Sequence, residues 1–183
     1  MSSQVIERAV QRALRDYGGG LPVDVGAIAS RLGIEIVKTP FPENPDLSGV
    51  LVREHRHTFM AINEAQSEPR QRFTIAHEIG HFLLDEAKAV WIDKGVHPVS
   101  YRRTGDGGTP EAYKLEEVRA NRFAAELLMP SQEVERRFAD HTGQGADWEG
   151  SKDLLDIANE FEVSLQAMAI RLRELGLLTI PGY

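Results

Sequence analysis

His77-Glu78-Ile79-Gly80-His81 constrains this chain more than any other stretch, because it sets three polar side chains inside the apolar run FTIAHEIGHFLL. Residues four apart on a helix lie one turn apart on the same face, so His77 and His81 can meet one ion. Glu78 stands about 100° round that helix from His77, near enough to reach a water on a metal without ligating the metal itself. Two histidines and a glutamate are costly to bury in such a helix without partners. The opposing reading is a pair of surface histidines over a core helix.

Gly80 adds a second constraint. Glycine inside a helix costs about 1 kcal/mol relative to alanine, so something should compensate, and a bare position beside His81 lets another helix approach. LEEVRANRFAAELLMP supplies a suitable partner, with Glu117, Ala120, Asn121, Ala124 and Leu128 on one stripe. Ala120 and Ala124 permit close packing. Glu117 would complete a His₂Glu set with the fourth position open. Asn121, one turn further on, would hydrogen-bond a ligand histidine or Glu117. The competing reading makes Glu117 an exposed acid in a row with Glu111 and Glu116, with Glu116 or Glu126 as the substitute ligand.

The rest of the chain predicts an α+β fold, a small mixed or antiparallel sheet packed with helices. An amphipathic helix with Ile6, Val10, Ala13, Leu14 and Tyr17 stops at Gly18-Gly19-Gly20, and a short helix over about Val23–Leu32 is closed by Gly33. Ile34–Val37 reads as a strand, FPENP as a loop, and Gly49–Arg53 with Thr58–Ile62 as two strands joined by a turn at His55 and Arg56. Thr58–Ile62 is the expected sheet edge along which an extended substrate could align, or else a plain strand packing Phe59 and Ala61 inward. Ser67 is placed as the N-cap of the HExxH helix, with Pro69 in its first turn. Residues 87–110 read as irregular. Thr109 and Pro110 open the next helix, which Pro130 stops, and Ser131 starts another. HTGQGADWEG reads as a Gly-rich hinge, and two short helices split near Val163-Ser164 follow.

Composition narrows the function. Without cysteine, disulfides, thiolate-ligated zinc and thiol nucleophiles are excluded. The charged N-terminus has no apolar core of a signal peptide, and no run approaches the length of a membrane span, so a cytoplasmic protein with no membrane partner is expected. A net charge of -7 argues against broad contact with nucleic acid phosphates.

HEIGHFLL followed by E-x-x-A-N-R-F-A-A-E-L-L-M-P resembles the ImmA/IrrE family of metallo-endopeptidases, and PVDVGAIASRLGIEIV and the SGVLV…FMAIN hairpin extend the likeness over roughly residues 20–140. The resemblance implies a minimal gluzincin with a zincin-like core, in which His77, His81 and Glu117 bind zinc and Glu78 is the base. It also implies a substrate class: helix-turn-helix (XRE-like) transcriptional repressors of stress or mobile-element genes. Larger members carry a further sensor-like domain, for which a chain of 183 residues has no room. Histidine and carboxylate ligands would accept Mn²⁺ as well as Zn²⁺. Zinc with an open position brings the pKa of water from 15.7 to about 7. Glu78 would move the proton. For the group sharing the oxyanion charge, His97, Tyr101, Arg102 and Arg103 are all available, and none is singled out.

On this reading residues 1–146 form the metallopeptidase domain and 147–183 a helix-turn-helix-like segment. Ile157, Ala158, Phe161, Val163 and Met168 hold core positions there, and Ser164 caps the second helix. Residues 151–183 carry three positive groups against five acids, a net of -2, which is poor for reading DNA. A packing or docking module is the expectation, and direct nucleic acid binding is not. Two other functions compete with the protease: a non-catalytic, antitoxin-like regulator holding a metal, and a DNA-binding protein using the last helices.

Overall fold

The computed structural model describes residues 3–15, 17, 19–54, 57–85, 90–93, 110–142 and 151–178. In chain order the elements are α1 (Ser3–Leu14), α2 (Val25–Arg31), β1 (Ile34–Thr39), β2 (Gly49–Glu54), β3 (His57–Asn63) and α3 (Glu68–Leu84). They continue with β4 (Val90–Asp93), α4 (Pro110–Leu128), α5 (Ser131–Thr142), α6 (Ser151–Glu160) and α7 (Leu165–Glu174). The class is α+β, as the sequence predicts. The turn at His55 and Arg56, Thr109, and most of the Gly-rich hinge lie outside the described residues.

The four strands form one mixed sheet in the order β1-β3-β2-β4. β3 runs parallel to β1 and antiparallel to β2, while β4 adds antiparallel to the far side of β2. This overturns the placing of Thr58–Ile62 at a sheet edge: β1 occupies the side of β3 that a hairpin alone leaves open. The inward face is corrected as well. Met60 and Ile62 are fully buried, whereas Phe59 and Ala61 lie on the other, half-exposed face. Backbone register aligns residues 36, 60, 51 and 91 across the sheet. β4 itself emerges from a stretch expected to be irregular.

α3 is the central helix, packed on β2 and β3 on one side and against α1, α2 and α4 on others. Ser67 occupies its N-cap position without a side-chain capping bond, and Pro69 is accepted in the first turn. Gly49 sets how closely α3 approaches the sheet, since a Cβ there would fall 2.5 Å from Thr74 Cγ2. The guanidinium of Arg53 stands 4.6 Å over the Phe82 ring and donates to the Phe82 carbonyl at 3.1 Å, tying β2 to α3.

α6 and α7 meet at a turn containing Glu162 at φ 51°. Ser164 caps α7 as expected, its side chain accepting from Ala167 N at 3.1 Å. Ile157, Phe161, Met168 and Leu172 join the same hydrophobic cluster as Leu127, Met129 and Val134 of the preceding segment.

Candidate metal centre

The centre is built where α3 and α4 touch. Gly80 permits the approach: a Cβ at that position would stand 3.0 Å from Phe123 Cδ1 and 3.2 Å from Ala120 Cα. The small side chains of Ala120 and Ala124, both fully buried, let α4 lie along the HExxH face. One turn of α4 thereby carries Glu117 and Asn121 to the two imidazoles.

His77, His81 and Glu117 come together, and theirs is the single cluster of three metal-competent side chains among the described residues. His77 Nε2 lies 3.0 Å from His81 Nε2. The Glu117 carboxylate bridges them, at 3.3 Å from His77 Nε2 and 3.2 Å from His81 Nε2. Neither substitute joins the cluster, and Glu126 pairs instead with Arg122 at 3.1 Å. His77, Glu78 and His81 are 2%, 0% and 1% exposed, while Glu117 opens partly to solvent.

The outer ring nitrogens fix the tautomers. His77 Nδ1 lies 3.0 Å from Asn121 Oδ1, one of the two contacts considered for that residue. His81 Nδ1 lies 3.0 Å from Asp85 Oδ2, whose other oxygen accepts from Arg119 at 2.6 Å. Amide and carboxylate oxygens accept, so each Nδ1 donates and each Nε2 of a neutral ring turns a lone pair inward. Two lone-pair nitrogens and two carboxylate oxygens therefore face one another. With the rings in these tautomers, positive charge, carried by a proton or a metal ion, reconciles the four acceptors.

A divalent metal fits this donor set. Zinc binds nitrogen and carboxylate oxygen at about 2.0–2.1 Å, so a tetrahedron around it has donor–donor edges of roughly 3.3–3.4 Å. The contacts of 3.0, 3.2 and 3.3 Å are close to that size. Ionisation follows the same logic. Burial works to lower the His81 pKa, but hydrogen bonds to Asp85 and Glu117, with their charges, raise it on balance. Burial likewise favours a neutral Glu117, yet His77 and His81 outweigh this and hold its carboxyl far below the ordinary range.

Sequence reasoning missed Asp85 and Arg119. Asp85 stands four residues after His81, the spacing that already related the two histidines, and that spacing was the available signal. His97, Tyr101, Arg102 and Arg103 lie outside the described residues.

Fold and site together define a small α+β domain whose HExxH helix and glutamate-bearing helix can hold a metal ion. The family described as the IrrE N-terminal-like domain, Peptidase M78, matches residues 29–173, and the chain belongs to that family. It is 27% identical over 126 residues to the uncharacterized immunity region protein 2 of Bacillus phage phi105, covering 69% of each chain. Among solved structures it is similar in fold to a Mycobacterium tuberculosis transcriptional regulator, with a TM-score of 0.60 at 18% identity. That match covers 97% of this chain and 48% of the other, so the chain spans about half the regulator's length. Among the described residues no helix is long and apolar enough to cross a membrane.

Proposed function

We propose that this protein is a zinc-dependent endopeptidase of the gluzincin type that cuts a helix-turn-helix (XRE-like) transcriptional repressor and so relieves repression of stress or mobile-element genes. The observation that carries the reading is the convergence of His77 Nε2, His81 Nε2 and the Glu117 carboxylate beside buried Glu78, in a chain of a peptidase family. His77, His81 and Glu117 are the ligands, and Asn121 holds the His77 ring. Zn²⁺ is the assigned ion, and Mn²⁺ is compatible with the same donors.

A divalent ion held by His77, His81 and Glu117 would supply Lewis acidity toward water and a peptide carbonyl. Glu78 takes a proton from the attacking water as its oxygen bonds to the carbonyl carbon, and passes that proton to the nitrogen as the C–N bond breaks. Glu117, partly open to solvent, marks the side from which a peptide enters. An extended segment can add to edge strand β4, which contacts α3. Residues 1–146 are taken as the peptidase unit and 147–183 as a docking unit for the repressor, in the cytoplasm where such repressors work.

The test incubates metal-loaded protein with the helix-turn-helix repressor encoded beside its gene and reads intact masses. Glu78→Gln runs in parallel with its metal content measured. A discrete cut by the wild type alone, with metal retained in the variant, is the expected result. Complex formation without any cut would replace the enzyme with a non-catalytic regulator.

A further inference from the structure

We infer that Asp85 and Arg119 are positioning residues of the metal centre: a partly buried ion pair that holds the His81 ring and ties together the two ligand-bearing helices. The inference rests on the metal site proposed above. Asp85 is the C-cap of α3 and grips His81 twice. Its backbone N–H donates to the His81 carbonyl at 3.0 Å, and its Oδ2 accepts from the His81 ring at 3.0 Å. The other carboxylate oxygen takes the Arg119 guanidinium at 2.6 Å. Arg119 belongs to α4, two residues beyond Glu117. One carboxylate thus joins the imidazole of one ligand, the end of its helix, and the helix that delivers the third ligand.

The two histidines are held unequally. His77 leans on the neutral amide of Asn121, an exposed residue, whereas the Asp85 side chain is 6% exposed and charged. Hydrogen bonds to an ionised partner are roughly twice as strong as neutral ones. A carboxylate behind an imidazole fixes its orientation and makes the ring a better donor to a metal. Arg119 is what allows that carboxylate to stay buried, since a lone charge there would be costly. Asp85 therefore sets the angle of the His81 ring, and Arg119 holds Asp85 in place while fixing the spacing of α3 and α4 at Glu117.

Full-length Asp85→Asn and Arg119→Gln test this by zinc titration against a competing chromogenic chelator and by the absorption bands of the cobalt-loaded protein. Asp85→Asn should weaken zinc binding about 10–100-fold and shift the cobalt bands. Arg119→Gln should do the same more weakly, and Arg119→Lys should recover part of the loss. Should a single variant fail to fold, Asp85→Asn with Arg119→Gln removes both charges at once and is expected to show the same weakening. Zinc affinity within twofold of wild type, or a fall with unchanged cobalt bands, would overturn the positioning role. Wild-type protein that binds no zinc would instead remove the metal site itself, and this inference with it.

Discussion

The seam between α3 and α4 and the seam between α6 and α7 are both close helix contacts, yet they handle buried polarity in opposite ways. At the first, His77, Glu78 and His81 are 2% exposed or less, and acceptor faces acceptor. At the second, Ile157, Phe161, Met168 and Leu172 fill the space, and buried Arg171 sends Nε to the Met129 carbonyl at 3.1 Å. Donor meets acceptor there, and nothing further is called for. The second seam is complete from its own side chains. The first gathers two imidazole nitrogens and a carboxylate that positive charge, a proton or a metal ion, holds together, which suits a binding site better than a core.

The largest expected effect tests whether the first seam is chemical at all. Glu78→Gln should lower repressor hydrolysis by about 10²–10⁴-fold while one equivalent of metal stays bound, as measured by turnover and metal analysis. Undiminished turnover would make Glu78 a mere buried acid and erase the contrast. The next largest belongs to the other seam. Phe161 is wholly buried, so Phe161→Ala should cost about 3–5 kcal/mol in urea unfolding. Zinc affinity of the folded fraction should not change, and a parallel loss would show that the two seams are not independent.

How far each seam could be read from the sequence follows the same divide. His77, Glu78 and His81 were legible because helical spacing alone puts the histidines on one face. Glu117 needed the partner helix as well, and Glu116 and Glu126 stayed open as alternatives until the fold set which acid faces the rings. Asp85 was overlooked although it repeats the four-residue spacing of the histidines, because it falls at the end of α3 past the apolar run, and Arg119 because its partner is 34 residues away. In the sheet, Thr58–Ile62 is apolar on both faces, so the pattern did not say which side turns inward. Nor did it show that β1 would lie parallel beside β3, since that pairing joins strands with β2 between them in the chain. The C-terminal helices were the easiest: Ile157, Ala158, Phe161, Val163 and Met168 are all buried, and local amphipathic spacing was enough to find them.

Gly80→Ala sharpens the comparison at the helix contact itself. Helix propensity favours alanine by about 1 kcal/mol. The added Cβ, however, would sit 3.0 Å from Phe123 and 3.2 Å from the Ala120 backbone, and backbone cannot swing aside. Overpacking should win, with a net loss of about 1–3 kcal/mol in unfolding experiments. Unlike Phe161→Ala, this change should also weaken zinc binding, because pushing α4 outward carries Glu117 from the histidines. A gain in stability would show that the contact has room to spare.

The smallest effect compares two serines in equivalent positions, one at the start of each seam. Ser164 caps α7 with a side-chain bond to Ala167 N, so Ser164→Ala should cost about 1 kcal/mol, a drop in Tm of about 2–4 °C. Ser67 sits at the same position of α3 and makes no such bond, so Ser67→Ala should stay within about 0.5 kcal/mol. The difference has a physical source. α7 is ten residues long and gains a useful fraction of its stability from one satisfied N–H. α3 is seventeen residues long, starts with a proline in its first turn, and is enclosed by the sheet and three helices, so its beginning is held by packing. Equal losses from the two substitutions would mean that α3 depends on its cap after all, and that the helix bearing both histidines is less firmly fixed than its burial implies.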